Sequence, residues 1–380
     1  MSTALAAASP ATFAERPIRV MVVDDAIIAR RLVTRWIGAE PDMIVASCLR
    51  TGREAVEQVG ESDPDVVVLD VDMPELDGIS ALPLLLKKKR DLVVIMASTL
   101  TRRSAEISLR ALSLGAADYV PKPEAAPDAT TSAAFHRELI DKIRILGRRG
   151  RSLARLGELG ASLRPRQSEA LHAEATAFHL RPFALSSPRA LLIGSSTGGP
   201  QALTTLIAEI GATIERAPIL ITQHMPPTFT AVLAEHLTRV SGRSVREAEH
   251  DEAVVAGRIY VAPGGRHMRV ARGRSGASIA LGDDPPINFC KPSVDPLLSS
   301  AAEVWGPASL ALVLTGMGTD GAHGAANLAA AGGSVIAQDE ATSVVWGMPR
   351  AVVQAGLCSA VLPLGQIGAK INRLFSGDRG

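Results

Sequence analysis

The feature that most constrains this chain is a repeated alternation of short apolar runs, typical of strands, with longer amphipathic runs, typical of helices. The alternation fills two blocks, from Ile18 to about Val120 and from Arg189 to about Leu362. Continuously apolar strands are typical of a parallel sheet that is covered by helices on both faces. The sequence therefore predicts two α/β units, and a length of 380 residues leaves room for two domains of ordinary size.

The first block contains predicted strands that are mostly rich in Val and Ile, with helix-length segments between them. The predicted strands are Ile18–Val23, Ile44–Ser47, Asp65–Leu69, Leu92–Ala97 and Tyr119–Val120. The predicted helices are Ile27–Ile37, Arg53–Val59, Ile79–Lys88 and Ser104–Leu114. This pattern predicts one doubly wound domain.

The alternation breaks between the two blocks and before the first. Residues 148–187 carry closely spaced arginines among Ser, Ala and Glu, which predicts a solvated, partly helical linker, with a nucleic-acid-binding arm as the alternative. Residues 1–16 are rich in Ala and lack the basic and apolar regions of a signal peptide, which predicts a disordered leader. The predicted domains are then 17–147 and 188–380.

Composition argues against several classes of function. The chain has 40 Lys and Arg against 39 Asp and Glu, and only 3% aromatic residues, which disfavours a nucleic-acid-binding surface. No stretch reaches the roughly 18 apolar residues of a membrane span. Cys48, Cys290 and Cys358 are too far apart for a disulfide framework or a zinc knuckle, which indicates a reducing compartment. We therefore expect a cytoplasmic protein that neither inserts into membranes nor binds nucleic acid.

Acidic residues follow two predicted strands of the first block. Asp24 and Asp25 end the first strand, and Asp70 ends the third. Ligands in such sheets bind at the carboxyl ends of the strands, so the three carboxylates should converge there. A hard cation such as Mg²⁺ would offset their repulsion. Ser98 can supply a hydroxyl from the fourth strand, and Lys122 can neutralise an anion from the fifth.

This arrangement resembles the receiver domain of two-component response regulators over about residues 18–125. The matching residues are Val22–Asp25, Leu69–Pro74, Asp77-Gly78, Ser98 and Lys122. The resemblance implies that Asp70 accepts a phosphoryl group from a histidine kinase and that Asp24 and Asp25 help to hold Mg²⁺. Ala26-Ile27 departs from the pattern, in which a Ser is expected, and should affect the first helix more than the chemistry.

A glycine-rich turn, Gly194–Gly199, lies between a predicted strand and a helix of the second block. Unpaired N–H groups and the positive end of the helix dipole meet at such a turn. It could cradle a phosphate, present Ser196 beside an oxyanion hole, or be merely structural. The phosphate alternative lacks a Gly-Lys-Ser/Thr motif, and the next strand ends in Gln223-His224, not in the acidic residue that a ribose would need.

A third strand end favours serine chemistry. The predicted strand Leu310–Leu314 leads into a second glycine turn that contains Asp320. Ser196, His224 and Asp320 would lie at the carboxyl ends of strands in one sheet, as nucleophile, general base and orienting group. The order Ser–His–Asp differs from that of ordinary α/β-hydrolases, so that superfamily is rejected. His267, in a β-rich excursion at Arg258–Leu281, is the rival base, but His224 ends a strand next to the serine strand and is preferred.

The second block resembles the catalytic domain of chemotaxis protein-glutamate methylesterases, the CheB family. The matching runs are Ile193–Pro200, Gln223–Pro226, Tyr260–Met268, Pro292–Asp295, Leu314–Gly321 and Ala337–Arg350. With the receiver they cover nearly the whole chain. Ser195, where a small Ala is usual, and Trp346, where Tyr is common, depart from the family pattern.

The resemblances imply a flavodoxin-like doubly wound receiver domain linked to a Rossmann-like, parallel-sheet methylesterase domain. They imply a phosphorylation-activated serine esterase that demethylates glutamate methyl esters on chemoreceptors and deamidates receptor glutamines. Thr197 and Met317 are the oxyanion-hole candidates, and His267 is a substrate-contact candidate. The implied partners are chemoreceptors and a histidine kinase; Mg²⁺ serves only receiver phosphorylation, and the esterase needs no cofactor. The alternative is a receiver-controlled binding module without catalysis.

Overall fold

The computed structural model describes residues 16–122, 129–162, 179–273 and 276–378. Nearly all of the predicted leader, and residues 163–178 of the predicted linker, lie outside these ranges. The described residues form two parallel sheets in an α/β arrangement, which confirms the predicted fold class. Among the described helices, none combines the length and the apolar character that crossing a bilayer requires.

The first unit is a five-stranded parallel sheet. Its strands are β1 Ile18–Val23, β2 Met43–Leu49, β3 Val66–Asp70, β4 Val93–Ser98 and β5 Asp118–Pro121. Its helices are α1 Ile27–Ala39, α2 Gly52–Ser62, α3 Gly78–Lys88, α4 Arg102–Ser113 and α5 Ala129–Ser162. The order β2-β1-β3-β4-β5 is the flavodoxin-like order, in which ligands bind where the chain switches direction between β1 and β3.

The second unit contains a seven-stranded parallel sheet of order β14-β13-β12-β6-β7-β9-β8 and an antiparallel hairpin, β10-β11. The strands are β6 Ala190–Ser195, β7 Ile219–Gln223, β8 Val245–Glu247, β9 Ile259–Val261, β10 His267–Gly273, β11 Gly276–Gly282, β12 Ser309–Val313, β13 Ser334–Gln338 and β14 Ala360–Leu362. The helices are α6 Gly199–Glu209, α7 Gly211–Arg216, α8 Phe229–Ser241, α9 Val294–Trp305, α10 Ala322–Ala330, α11 Met348–Gln354 and α12 Leu364–Ser376, with a 3₁₀ helix at Gly306–Ala308.

The central strands are apolar throughout because both of their faces are covered. All residues of β6, β7 and β12 are buried. Along β6, Leu191 and Ile193 pack into the hydrophobic cluster on one face of the sheet, and Ala190 and Leu192 pack into the cluster on the other. This alternation follows from the two-residue period of a strand, and it fixes which face of the sheet each side chain meets.

The middle of the second unit differs from its prediction. Ile259–Val261, which the sequence predicts within the β-rich excursion, is β9 of the main parallel sheet, between β7 and β8. All of its residues are buried, as that inner position requires. Strand β8 is not predicted because its sequence, Val-Arg-Glu, is mostly polar, a common property of edge strands. Of the described strands of the second unit, only β10 and β11 lie outside the main sheet.

Helix α5 crosses the predicted boundary between the first domain and the linker, since it runs to Ser162. Within it, Arg144 forms an ion pair of 2.9 Å with Asp42 at the start of β2 and so holds the helix to the first sheet. On the other side of the linker, the backbone N–H of Arg181 donates to the carbonyl of Cys358 at 2.8 Å. Residues shortly before 188 are therefore already attached to the second unit.

Helix α8 of the second unit packs against α4 and β5 of the first. The rings of Tyr119 and Phe229 are stacked, with centroids 4.8 Å apart and an interplanar angle of 8°. An ion pair of 2.6 Å joins Arg102 of α4 to Glu235 of α8. The two units therefore share a contact that combines an aromatic pair with an exposed salt bridge.

The first prediction concerns Lys142, whose buried ammonium ties α5 to β5. Its Nζ lies 2.9 Å from the carboxylate of Asp118 and donates to the carbonyl of Tyr119 at 2.7 Å. The side chains of Lys142 and Asp118 are only 9% and 4% exposed. Lys142→Met would leave the Asp118 carboxylate buried without its cation, which typically costs about 3–5 kcal/mol. We expect urea denaturation to show a loss of that size in the free energy of unfolding.

Arg148→Met is the matched control on the same helix. Arg148 is half-exposed and pairs with Asp42 at 3.0 Å. Exposed ion pairs contribute about 1 kcal/mol or less. If Lys142→Met lost no more stability than Arg148→Met, the buried pair would not hold α5 as described.

Candidate active site

Ser196 lies in the turn between β6 and α6. Its backbone N–H donates to the carbonyl of Thr315 at 3.0 Å, and its own carbonyl accepts from the side-chain amide of Gln223 at 3.0 Å. The hydroxyl of Ser195 donates to the amide oxygen of Gln223 at 2.6 Å. Ser195 is buried and Ser196 is half-buried, so the turn uses the first hydroxyl internally and presents the second at the edge of the sheet.

Glycine is required where the turns after β6 and β12 meet. Gly198 has a φ of 77°, and a Cβ there would lie 2.5 Å from the Cβ of Val344. A Cβ on Gly316 would lie 2.9 Å from the Cβ of Ser196. The absence of side chains at these two positions allows the turn after β6 to pack against Val344 and the turn after β12 to pack against Ser196.

His224 and Asp320 are hydrogen-bonded beside this turn. The backbone N–H of His224 donates to the carbonyl of Ser195 at 3.1 Å, and its Nε2 lies 2.7 Å from Oδ2 of Asp320. Because β6 lies between β12 and β7, the segments after three adjacent strands bring Ser196, His224 and Asp320 to one edge of the sheet. The side chain of Asp320 is 2% exposed, which shields the pair from solvent.

The carboxylate of Asp320 is held at the N-terminus of α9. The hydroxyl of Ser293 donates to Oδ1 and the backbone N–H of Val294 donates to Oδ2, each at 2.7 Å. N–H groups at a helix N-terminus favour a negative charge. Burial acts to raise the pKa of Asp320, but the hydrogen bonds from His224, Ser293 and Val294 outweigh it and lower this pKa well below its usual range. The carboxylate is thus charged and fixed, as orienting an imidazole requires.

A thiol contacts the second ring nitrogen of His224. The sulfur of Cys290 lies 3.4 Å from Nδ1 and also 3.4 Å from the carbonyl oxygen of Asn288. Burial opposes protonation of the ring, but the electrostatic interactions and hydrogen bonds with Cys290 and Asp320 outweigh burial and raise the pKa of His224 to about 10. Each ring nitrogen therefore has one acidic partner.

His267, the rival base, is fully buried. Its Nδ1 accepts from the backbone N–H of Ser293 at 3.1 Å, and its Nε2 lies 3.1 Å from the carbonyl of Pro285, to which it can only donate. Both nitrogens are thus used by backbone groups, and neither retains a lone pair for a serine proton. In this position His267 supports Ser293, which in turn holds Asp320.

Thr197 and Met317 lie in the turns after β6 and β12. Thr197 is buried, and its carbonyl accepts from the hydroxyl of Thr315 at 2.9 Å. Within the described ranges, the backbone N–H groups of Thr197 and Met317 donate to no protein acceptor. Free N–H groups in adjacent turns are able to stabilise an oxyanion.

The acidic residues of the first unit also converge. Asp24, Asp25 and Asp70 each place a carboxylate oxygen within 4.8 Å of the others. The ammonium of Lys122 lies 2.7 Å from both Asp24 and Asp70. Burial raises the pKa of Asp70 to about 6, against the lowering effect of Lys122. Three carboxylates around one lysine keep an excess of negative charge, and oxygen donors of this kind fit Mg²⁺.

Hydroxyl groups at the end of β4 connect this pocket to α4. Ser98 is buried, and its hydroxyl lies 2.9 Å from that of Ser108 on α4. The hydroxyl of Thr99 lies 2.8 Å from that of Ser104, near the N-terminus of the same helix. The backbone N–H of Lys122 donates to the carbonyl of Ser98 at 2.7 Å, which brings the two residues to the same edge.

Comparison with known proteins identifies both units. A family model of the response regulator receiver domain matches residues 20–134, and one of the CheB methylesterase matches residues 191–371. A protein-glutamate methylesterase/protein-glutamine glutaminase of Rhodopseudomonas palustris strain BisB5 is 60% identical over 385 residues, which cover 100% of both chains. The chain belongs to the CheB methylesterase family. A Nitrobacter hamburgensis protein of the same name is 60% identical and covers 98% of this chain and 99% of its own. The solved CheB methylesterase catalytic domain of Thermotoga maritima is 41% identical, with a TM-score of 0.48, and covers 50% of this chain and 100% of that one.

Several residues that build this CheB-family site are not found from the sequence. In the sequence, Gln223 serves only as an argument against ribose binding, although its side-chain amide holds the turn that contains Ser195 and Ser196. Ser293 and Val294 lie in a matching run, but nothing in the sequence shows that this helix start faces Asp320. Cys290 is noticed only for its spacing from the other cysteines, since a contact between a loop thiol and a histidine leaves no local pattern.

The raised pKa of His224 leads to the second prediction. In an NMR titration, the His224 ring should change protonation well above pH 6.5, whereas His236, whose pKa burial and Arg239 lower, should change below it. Asp320→Asn should lower the pKa of His224 by roughly one unit or more, because it removes an adjacent negative charge. The protonated pair adds stability that is complete below pH 6.5 and is lost as the pH rises through about 10. A His224 midpoint at or below that of His236 would contradict this electrostatic description.

Proposed function

We propose that the chain is a phosphorylation-activated serine esterase of chemotaxis adaptation, which demethylates glutamate methyl esters on methyl-accepting chemoreceptors and deamidates receptor glutamines. The observation that carries the proposal is the 2.7 Å hydrogen bond between His224 and Asp320, beside the turn that presents Ser196. The names of the relatives support the two activities, and the receiver domain supports control by phosphorylation.

In the proposed reaction the hydroxyl of Ser196 attacks the ester carbonyl. The neutral form of His224 accepts the serine proton at Nδ1, because its Nε2 is engaged by Asp320. Since the pKa of His224 is raised to about 10, this neutral form is the minor one at neutral pH. The carbon–oxygen bond to the methoxy group then breaks, the imidazolium returns a proton, and methanol leaves an acyl-enzyme. Water, deprotonated by the same histidine, releases the glutamate and restores Ser196. With a glutamine side chain the leaving group is ammonia.

Charge stabilisation in this proposal comes from three fixed groups. The Asp320 carboxylate stabilises the imidazolium and holds the ring in one orientation. The N–H groups of Thr197 and Met317 would bind the oxyanion, and each such donor contributes roughly 2.7–4 kcal/mol in comparable sites. The proposed acyl transfer thus uses side chains and backbone N–H groups of this chain. His267 acts through Ser293 to position the Asp320 carboxylate.

The third prediction tests the nucleophile with a neighbouring serine as control. Ser196→Ala should reduce the release of methanol from methylated receptor membranes by about a thousandfold or more, because no covalent intermediate can form. Ser195→Ala removes a hydroxyl that only holds the turn, and should cost about tenfold or less. Circular dichroism should be unchanged in both variants. Residual turnover of Ser196→Ala within about tenfold of wild type would mean that another residue is the nucleophile.

In the same proposal residues 17–147 form the receiver domain, residues 148–187 connect the domains, and residues 188–380 form the catalytic domain. A histidine kinase would phosphorylate Asp70. Asp24, Asp25 and Asp70 would hold Mg²⁺, which supplies positive charge against the phosphoryl oxygens. Lys122 would pair with the phosphoryl group, and Ser98 would support it from β4. The reaction is assigned to the cytoplasm, with chemoreceptors and the kinase as partners.

Control by the receiver is supported by contacts beside the candidate active site. The guanidinium of Arg137 on α5 lies 4.3 Å from the ring centroid of Phe289, the residue before Cys290. Val345 and the partly buried Met317 and Val344 share a hydrophobic cluster with the receiver core. A receiver in this position would restrict the approach of a bulky receptor helix. Phosphorylation needs to favour an open arrangement by only a few kcal/mol to shift the population strongly.

The fourth prediction tests the phosphorylation site. Incubation with a small phosphodonor and Mg²⁺ should give wild type an acid-stable, base-labile adduct and a higher rate of methanol release. Asp70→Asn should show neither effect, because it lacks the acceptor carboxylate. Asp72→Asn is the matched control, since Asp72 is exposed and only two residues away, and it should behave as wild type. An adduct of normal stoichiometry on Asp70→Asn would place the acceptor elsewhere.

A further inference from the structure

Cys290, His224 and Asp320 form a continuous thiol–imidazole–carboxylate chain. The sulfur lies 3.4 Å from Nδ1 of the ring, and Nε2 lies 2.7 Å from the carboxylate. Positive charge on an adjacent imidazole stabilises a thiolate, which is the form of cysteine that reacts with electrophiles. A cysteine next to a histidine that a third group orients is also the general arrangement of an activated thiol. The acyl transfer proposed above does not use this thiol.

The position of Cys290 in the fold makes the sulfur accessible. Cys290 closes a tight turn in which its N–H donates to the carbonyl of Ile287 at 2.8 Å and its carbonyl accepts from the N–H of Ile287 at 3.1 Å. Phe289 within this turn has a φ of 63° and is 83% exposed. Cys290 itself is partly exposed, so a small reagent in solution can reach the sulfur.

The other two cysteines provide internal comparisons. Cys48 is more exposed than Cys290, but among the described residues its sulfur contacts the hydroxyl of Thr34 at 3.6 Å and no basic group. Cys358 is buried, and burial raises its pKa to about 12. Exposure alone would make Cys48 the most reactive thiol, whereas pairing with a histidine favours Cys290.

We propose that Cys290 is a modification site, where alkylating reagents and hydroperoxides react ahead of Cys48 and Cys358, and that a group added to its sulfur blocks the esterase reaction. The first part of the proposal stands on the thiol–imidazole–carboxylate chain alone. The second part rests on the proposed function, because the sulfur contacts the nitrogen that would accept the serine proton. An added oxygen or carbon at this place fills the space between the base and an incoming ester.

With hydrogen peroxide the chemistry is a two-electron oxidation of sulfur. The Cys290 thiolate attacks one peroxide oxygen, a sulfur–oxygen bond forms, and the oxygen–oxygen bond breaks. The departing hydroxide takes the proton of the His224 imidazolium and leaves as water. The sulfur becomes a sulfenic acid, which a dithiol reductant converts back to the thiol. With iodoacetamide the sulfur displaces iodide and the product is a stable thioether.

The fifth prediction is a competition among the three thiols in the folded full-length chain. With limiting iodoacetamide at neutral pH, mass spectrometry should show Cys290 labelled at least about tenfold faster than Cys48. In urea, where His224 no longer contacts the sulfur, the two rates should become similar. His224→Gln and Asp320→Asn should each slow the labelling of Cys290 and leave that of Cys48 unchanged. Equal rates in the folded wild type, or a Cys290 rate unaffected by His224→Gln, would overturn the proposal.

A second experiment measures methanol release after treatment with hydrogen peroxide and compares each protein with its own rate before treatment. Wild type and Cys48→Ser should lose methanol release on treatment and recover it with dithiothreitol, whereas Cys290→Ser should resist. If Cys290→Ser were as sensitive as wild type, modification of Cys290 would not be the cause of inhibition. If untreated wild type released no methanol, the proposed function would fail, and the labelling experiment would still decide whether Cys290 is the reactive thiol.

Discussion

The geometry of the candidate active site depends on one buried carboxylate at a helix N-terminus. A charged group that is 2% exposed is costly unless donors surround it, and Asp320 receives hydrogen bonds from Ser293, Val294 and His224. Ser293 and Val294 are fixed at the start of α9, so the carboxylate and the imidazole that it holds are fixed as well. The strand ends bring the residues to one edge of the sheet, but the start of α9 determines the orientation of the His224 ring.

Two polar contacts connect the first unit to the second, one through α4 and the other through α5. The hydroxyls at the end of β4 lie between the acidic pocket and α4, and α4 reaches the second unit through Arg102 and Glu235. Helix α5 reaches the candidate active site through Arg137 and Phe289. The first contact is an exposed ion pair and the second a cation–π contact, and such interactions are individually worth about 1 kcal/mol or less. These two contacts can be shifted by a change of charge at one residue, whereas the buried, stacked pair of Tyr119 and Phe229 holds the two units together more firmly.

The sequence predicts the strand ends well because an apolar run that stops at a polar residue is a local pattern. Asp70, Ser196 and His224 are all located in this way. Side-chain partners are not local, and for this reason the roles of Gln223 and Ser293 appear only in the structure. The same limit explains why the sequence does not place β9 in the main sheet, because that position depends on pairing with β7 and not on the residues of β9 alone. The sequence does not predict that α5 runs past the domain boundary, because arginines are compatible with either a helix or a linker.

The contact between Cys290 and His224 links the chemistry of the site to the position of the receiver. Nδ1 of His224 is the nitrogen that would accept the serine proton in the proposed reaction, and in this arrangement it faces the Cys290 sulfur. Cys290 and Phe289 belong to one turn that two backbone hydrogen bonds close, so a displacement of Phe289 also displaces the sulfur. Arg137 of α5 lies over the Phe289 ring, so the first unit touches the same turn that holds the thiol beside the base. In the proposed function, control of substrate access by the first unit and control of the base by Cys290 would therefore meet at one turn.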